Sequence, residues 1–195
     1  MKEQYLINFV IKGDNNVGKT SIIQQYSNNQ LYNLPKSVNI LDLSFKIMQL
    51  MESTFTIQIR NYKNSLSKGV KVRYLNADAI VLVYDVTKRT SFEWLNQEVQ
   101  LINEIFYDNY PFICIIGNKE DLLERREVSK EEANKFCKTN NLKYYECSAL
   151  CGNTVQEVFF CILRNTIETF ILQEEKKSLL YKRANIDFPF LYTSS

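Results

Sequence analysis

The residues with the clearest chemical potential form a short glycine-containing segment near the start of the chain. Residues 13–20 read Gly-Asp-Asn-Asn-Val-Gly-Lys-Thr; they follow an apolar run over residues 5–11 and precede a predicted helix over residues 21–26. Between a strand and a helix, this spacing is typical of a loop whose backbone N–H groups surround a polyphosphate. Lys19 would then reach the β- and γ-phosphates, and Thr20 would offer its hydroxyl to Mg²⁺. The segment therefore predicts binding of a nucleoside triphosphate but does not indicate which base is bound.

Two later segments carry groups that could select the base. Residues 117–121 read Gly-Asn-Lys-Glu-Asp, and the Asp121 carboxylate can accept hydrogen bonds from guanine N1–H and the N2 amino group, which adenine lacks. A site built on such bonds rejects the wrong base strongly, because its buried polar groups would be left unpaired. We predict that Asn118 braces this loop, that the aliphatic stem of Lys119 covers the base, and that the Ala149 N–H meets guanine O6. Alone, the Asn-Lys-x-Asp spacing is weak, but the three motifs in this order, beginning with the phosphate loop, together favour guanine.

The remaining residues alternate between patterns of buried strands and of helices. Apolar runs and alternating segments predict six strands, at residues 5–11, 43–50, 54–60, 79–85, 112–116 and 143–147. Helices are expected at residues 21–26, from Ser91 as N-cap to about Phe106, from a Ser129–Glu132 capping box to about Thr139, and from near Asn153. The face of the last helix that packs on the sheet is predicted from helical spacing as Val155, Val158, Phe159, Ile162, Leu163, Ile167, Phe170 and Ile171.

This alternation predicts an α/β fold: a mostly parallel six-stranded sheet with one antiparallel edge hairpin and helices on both faces. Ligands of such sheets bind beyond the carboxyl ends of the strands. Each of the motifs described above falls at such an end. We expect one domain over residues 1–175 and a tail over residues 176–195.

Composition excludes several classes of function. The 195 residues are 45% apolar and carry a net charge of +2, which is too small to favour nucleic acid as a partner. Histidine is absent, which removes catalysis by imidazole. Three of the five cysteines lie in apolar surroundings, as expected of reduced, packed thiols. Without a signal peptide or a membrane-spanning run, we expect a cytoplasmic protein, and we expect it to be a monomer.

On these motifs the chain resembles the small GTPases of the Ras superfamily, over about residues 5–172. The Rab branch is most similar, because residues 84–87 read Tyr-Asp-Val-Thr after a valine-rich strand and are followed by Ser91 and Phe92. The resemblance implies a P-loop small-GTPase fold and a GTP/GDP switch, with Mg²⁺, that governs vesicle traffic. It also implies that protein effectors and exchange factors bind residues 32–45 and 61–76. The nucleotide-binding residues that it implies are Gly13, Asn15, Asn16, Val17, Gly18, Lys19, Thr20, Ser21, Asn118, Lys119, Asp121, Leu122, Ser148, Ala149 and Leu150.

The resemblance fails where the family carries out hydrolysis. The family motif Asp-x-x-Gly-Gln corresponds here to Asn-Tyr-Lys-Asn-Ser over residues 61–65. In the family, the Asp orients Mg²⁺ through water, the Gly N–H contacts the γ-phosphate and the Gln positions the attacking water. Asn61 is neutral, Asn64 adds a side chain where the backbone must approach phosphate, and Ser65 is too short to reach the water. We therefore predict no catalytic residue, and slow or impaired hydrolysis.

Two further departures concern the metal and the phosphate loop. The family's Mg²⁺-binding Thr falls on Val38 in an ungapped alignment, or on Ser37 if one residue is inserted, so Thr20 and Ser37 are the candidate metal ligands. Asn15 and Asn16 replace small residues in the loop, and side chains there tend to obstruct the transition state. The alternative is that these changes are tolerated and that another group positions the water.

The carboxyl-terminal residues also depart from the Rab pattern. No cysteine follows Cys161, so the chain has no lipidation box and we predict no direct lipid anchor. Recruitment to endomembranes would then need a protein partner. The aromatic residues Phe188, Phe190 and Tyr192 could dock a partner, fold back on the domain or belong to a disordered end.

Three functions compete. The first is a guanine-nucleotide-binding Rab-like regulator with slow hydrolysis. The second is a pseudo-GTPase that binds partners independently of nucleotide, which the altered residues 61–65 suggest. The third is a P-loop nucleoside or nucleotide kinase; only the phosphate loop suggests it, and it leaves residues 118–121 unexplained.

Overall fold

The computed structural model describes residues 4–27, 43–50, 53–61, 74, 76–106 and 110–183. Within these residues, strands and helices alternate along the chain. The strands are β1 Gln4–Gly13, β2 Leu43–Leu50, β3 Ser53–Asn61, β4 Ala79–Asp85, β5 Phe112–Asn118 and β6 Lys143–Cys147. The helices are α1 Lys19–Ser27, α2 Arg89–Ile105, α3 Lys130–Thr139 and α4 Gly152–Arg183, with a 3₁₀ turn at Leu123–Arg125.

The six strands form one sheet in the order β2-β3-β1-β4-β5-β6. Strands β2 and β3 pair antiparallel at one edge, and every other pair is parallel. This confirms the predicted mostly parallel sheet with its edge hairpin. The parallel register places Asn118 beside both Asp85 and Cys147, so the ends of β4, β5 and β6 lie side by side. The loop after β1 leaves the same edge, which brings the predicted motifs together.

Helices cover both faces of the sheet, as predicted. On one face, α1 and α4 pack together, and the rings of Tyr26 and Phe159 stack with centroids 4.1 Å apart. On the other face, α2 and α3 meet through Phe92 and Phe136, whose ring centroids lie 5.4 Å apart. All residues of β4 and β5 are buried between these layers, which explains their continuous apolar sequence.

The prediction that Ser91 is the N-cap of α2 is wrong. Lys88 occupies the cap position, and Ser91 lies in the first turn, where it is buried. Its hydroxyl accepts a hydrogen bond from the Asp85 N–H at 3.0 Å and donates to the Lys88 carbonyl at 2.7 Å. Ser91 therefore joins the end of β4 to the start of the helix.

The capping box of α3 is only half formed. Ser129 is the N-cap as predicted, since its hydroxyl accepts a hydrogen bond from the Glu132 N–H at 3.1 Å. The Glu132 carboxylate instead binds the Arg89 guanidinium, with N–O distances of 2.7 and 2.8 Å. A contact with another helix thus replaces the expected contact within α3.

The predicted sheet-facing side of α4 is correct only for its first half. Val155, Phe159 and Ile162 are fully buried, whereas Phe170 and Ile171 are 59% and 50% exposed. A helix of 32 residues spans about 48 Å, more than twice the roughly 23 Å of a seven-residue central strand. The second half therefore extends past the sheet and through the predicted domain boundary at residue 175. No helix in the described part of the chain is long and apolar enough to cross a membrane.

The cysteines are all free thiols. Cys114, Cys137 and Cys147 are buried, Cys161 is half-buried and Cys151 is exposed. Three packed thiols agree with the prediction from the sequence.

Candidate functional site

The phosphate loop depends on two glycines that the surrounding structure requires. A Cβ atom on Gly13 would lie 2.2 Å from the Val83 carbonyl oxygen of the neighbouring strand. Gly18 has a φ of +92°, and a Cβ there would lie 2.2 Å from Nδ2 of Asn118. Asn16 adopts a φ of +63°, a left-handed conformation that asparagine tolerates better than most residues. The loop thus has the tight curvature that lets successive N–H groups point towards one anion.

Lys19 places a cation at this loop. Its ammonium group donates hydrogen bonds to the Gly13 carbonyl at 2.8 Å and to the Asp14 carbonyl at 2.6 Å. Burial lowers the pKa of Lys19, and the Asp14 carboxylate opposes this shift. Asp14 is itself paired with Lys88 at 2.7 Å. Lys19, the first residue of α1, therefore places its positive charge beside residues 13 and 14, at the start of the loop.

Asn118 connects the phosphate loop to the predicted base-binding loop. Its side chain is buried; Nδ2 donates to the Val17 carbonyl at 2.8 Å, and Oδ1 accepts from the Ala149 N–H at 3.1 Å. This confirms that Asn118 braces the loops, and it adds a second partner that the sequence did not indicate. Because the Ala149 N–H already donates to Asn118, its contact with guanine O6 stays a prediction that requires sharing or exchange of this bond.

Lys119 is held between two loops. Its backbone has a φ of +66°, and its ammonium group contacts the Asp85 carboxylate at 2.5 Å and the Asn16 carbonyl at 3.3 Å. Asp85 also accepts hydrogen bonds from the N–H and hydroxyl of Thr87. Burial raises the pKa of Asp85, but the bonds from Lys119 and Thr87 outweigh it and hold this pKa below its usual value.

Asp85 was not among the predicted site residues. The signal for it was present in the sequence, because it is an acidic residue that ends a fully apolar strand at the edge where Lys119 lies. In the structure Asp85 orients Lys119 along the side of the phosphate loop.

The other predicted base-binding residues lie on the loops that follow β5 and β6. Asp121 is exposed, and its carboxylate makes no hydrogen bond or ion pair with the residues that the structure describes. Ser148 is buried, and its hydroxyl accepts a hydrogen bond from the Leu150 N–H at 3.1 Å. Leu122 is half-buried, and the Leu150 side chain is 86% exposed. The loops therefore present a carboxylate and apolar side chains beside the loop that Asn118 ties down.

The predicted metal site is described only in part. The Asn61 side chain lies at the end of β3 and donates to the Thr20 hydroxyl at 3.4 Å. Asn61 is therefore close to the group that would bind Mg²⁺, but as an amide it brings no negative charge. Ser21 is exposed on α1. The predictions for Ser37, Ser65 and the tail aromatic residues lie outside the described residues.

Comparison with known proteins identifies the family. A model of the Ras family matches residues 8–168. The chain belongs to the Ras family. This Ras-family chain is 38% identical over 178 residues to the Ras-related protein RABG3e of Arabidopsis thaliana, covering 86% of the chain and 85% of that relative.

Two other relatives give the same result. The chain is 35% identical over 196 residues to the Ras-related protein Rab7 of Cenchrus ciliaris, covering 95% of the chain and 92% of the relative. It is 34% identical over 175 residues to the Ras-related protein Rab7 of Drosophila melanogaster, with 86% and 83% covered. The Ras-family chain is thus a Rab-like small GTPase with a GTP-binding fold, as the motifs predicted, and the nucleotide-kinase hypothesis is wrong.

Proposed function

We propose that this Rab-like protein binds GTP and GDP together with Mg²⁺, hydrolyses GTP slowly, and acts as a regulatory switch in vesicle traffic. The single observation that carries the binding half is the Asn118 side chain, which joins Val17 of the phosphate loop to Ala149 of the base loop. A site whose two halves are connected before the ligand arrives loses less conformational entropy on binding.

The residues around this connection fit a guanine nucleotide. The two glycines let the loop lie directly against Val83 and Asn118, where a Cβ would clash, and Lys19 supplies a positive charge for the phosphates. Asp121 is exposed and could accept hydrogen bonds from guanine, and the stem of Lys119 would cover the base. In this proposal the nucleotide contacts are made by the predicted set of residues over 13–21, 118–122 and 148–150.

The hydrolysis half rests on what lies beside Thr20. Mg²⁺, when bound, would neutralise charge on the β- and γ-phosphates. Thr20 and Ser37 would hold it, but Asn61 contributes a neutral amide where the family has a carboxylate. With Asn64 and Ser65 in place of the family's Gly and Gln, nothing in the sequence motif positions a water for attack. We infer that GTP persists in this site longer than in family members that keep the motif.

The surfaces for effectors and exchange factors are proposed at residues 32–45 and 61–76. We propose one nucleotide-binding domain over residues 1–175, followed by a tail over residues 176–195. A monomer in the cytoplasm, recruited to endomembranes by a protein partner, is the form in which we expect the switch to act. We do not propose nucleic acid as a partner at any of these surfaces.

A second candidate function is a pseudo-GTPase that binds its partners whether or not nucleotide is present. The observation that favours it is the neutral Asn61 amide beside Thr20. In this case partner affinity would not change when nucleotide is removed.

The test begins with mass spectrometry of the nucleotide that copurifies with the full chain. GTP recovered intact supports slow hydrolysis, GDP indicates that hydrolysis survives or that GDP is the resting ligand, and an empty site favours the pseudo-GTPase. Single-turnover hydrolysis of radiolabelled GTP then gives the rate directly. A preference for ATP over GTP in competition would contradict the proposal. Lys19→Ala should abolish nucleotide binding, and unchanged partner affinity in that variant would support the second candidate.

A further inference from the structure

A group of polar side chains lies inside the apolar layer between the sheet and α2, directly below the phosphate loop. Lys12 and Glu98 are each 5% exposed, and Tyr74 is fully buried. The Lys12 ammonium and the Tyr74 hydroxyl both donate to the same oxygen, Oε1 of Glu98. The ammonium also lies 5.4 Å from the centroid of the Tyr74 ring and 5.6 Å from that of Trp94. We call these four residues the Lys12 cluster.

Stability alone does not account for this cluster. Val10, Leu82 and Leu95 lie in the same core layer and are fully buried, so an apolar pair would match the surroundings. Removing two charges from water costs free energy that an ion pair repays only in part, and apolar replacements of buried pairs are often neutral or stabilising. A fully hydrogen-bonded polar group in a core does, however, select one arrangement of the parts that it joins.

The parts joined here are three elements around the nucleotide site. Lys12 directly precedes Gly13, whose carbonyl accepts a hydrogen bond from the Lys19 ammonium at 2.8 Å. Tyr74 lies near the end of the partner-binding segment proposed at residues 61–76. Glu98 lies on α2 and contacts both. The carboxylate of one helix therefore holds the strand that carries the phosphate loop against the end of the partner-binding segment.

We propose that Glu98 is a positioning residue that couples Tyr74 to the nucleotide bound by the phosphate loop. When GTP replaces GDP, a shift of the end of β1 moves the Lys12 ammonium. The position of this positive charge relative to Oε1 of Glu98, which Tyr74 also contacts, then changes. The hydrogen bond from the Tyr74 hydroxyl to the same oxygen passes this change to Tyr74. This inference rests on the proposed function, because it requires that GTP and GDP bind the loop.

The chain contains its own probe for this coupling. Trp94 is its only tryptophan, and the indole lies within 6 Å of the Lys12 ammonium. Indole emission responds to nearby charge, so a displacement of Lys12 alters it. The experiment compares Trp94 emission in the full chain loaded with GDP and with a non-hydrolysable GTP analogue. The variants are Tyr74→Phe, which keeps the ring and removes the hydroxyl, and Glu98→Gln, which keeps the size and removes the charge.

The matched control is Glu93→Gln, which makes the same charge change on the exposed side of α2, next to Trp94. We expect wild type and Glu93→Gln to show the same emission difference between the two nucleotides. Tyr74→Phe and Glu98→Gln should lose at least two thirds of it. In both, the ratio of the dissociation constants for GDP and the analogue should change by roughly fivefold or more, the usual lower range of coupling between sites.

The outcomes separate this inference from the proposed function. If wild type binds neither nucleotide, the proposed function fails and the coupling fails with it. If both nucleotides bind but Trp94 emission is the same with each, or if Tyr74→Phe keeps the wild-type difference and ratio, only the coupling is overturned. Tyr74→Phe removes a single hydroxyl and decides the question even if Glu98→Gln is too unstable to purify.

Discussion

Replacing Asn118 with Ala should weaken nucleotide binding, because this side chain connects the phosphate loop to the loop that carries Ala149. The variant loses two hydrogen bonds, to Val17 and Ala149, from a side chain that is 1% exposed. Each such bond contributes about 0.5–1.5 kcal/mol, so the loss is about 1–3 kcal/mol before the penalty for unpaired buried groups. If alignment of the loops is what the bonds supply, this loss appears in binding as roughly a 5- to 150-fold higher dissociation constant.

The assay is displacement of a fluorescent GDP analogue, with urea unfolding of the same samples. The matched control is Asn96→Ala, which removes an exposed amide on α2 that donates a hydrogen bond to the nearby Glu93 carbonyl at 3.2 Å. We expect the control to bind like wild type. A dissociation constant within twofold of wild type for Asn118→Ala, in a protein that folds normally, would show that the two loops hold their geometry without this side chain.

Three further changes test the loop, a buried carboxylate and the Lys12 cluster. Gly18→Ala, at a φ of +92°, should lower GDP affinity by about 5- to 150-fold in calorimetry, because strained conformations cost roughly 1–3 kcal/mol; an affinity equal to that of wild type would contradict the requirement for glycine at this position. The pKa of Asp85 is lower in the folded protein than its usual value of 3.8, so the carboxylate stabilises the fold fully above that value and less as the pH falls through the folded pKa. In Asp85→Asn the free energy of unfolding, measured in urea, should therefore depend less on pH below about pH 4. An unchanged pH dependence would refute this. Lys12→Met should destabilise by about 3–5 kcal/mol in urea and Lys12→Met with Glu98→Leu much less; equal losses would contradict an ion pair.

The strands were the most predictable part of the fold. Ala79–Asp85, all of whose residues are buried, begins and ends where the sequence indicated. A strand that is buried on both faces needs an unbroken apolar run, and the run stops where the chain leaves the sheet. The length of such a run therefore predicts the length of the strand.

Helix ends were less predictable because contacts with residues outside the helix decide them. Ser91 has the residue type of an N-cap, but its hydroxyl bonds to β4, and the helix begins earlier. Glu132 has the spacing of a capping box, but Arg89 competes for its carboxylate. A local rule cannot weigh a partner that is more than forty residues away in sequence.

The site could be predicted where chemistry is local, and not where it depends on register. The loop glycines and Lys19 form a motif whose spacing alone indicates phosphate binding. Asp85 acts through Lys119, and Lys12 acts through Glu98, and each of these pairs meets only because strands and helices are placed side by side. A charged residue directly after an apolar run, such as Lys12, is nevertheless a visible sign that a partner exists.

The distribution of thiols has a practical consequence for measurement. Burial raises the pKa of Cys137 and Cys147 to about 12, and that of the fully enclosed Cys114 rises as well, so these sulfurs stay protonated and shielded near neutral pH. Cys151 is exposed and follows Ser148 by three residues. A maleimide fluorophore would therefore attach there first, without mutagenesis, and would report in real time on binding of a nucleotide at the proposed contacts of residues 148–150.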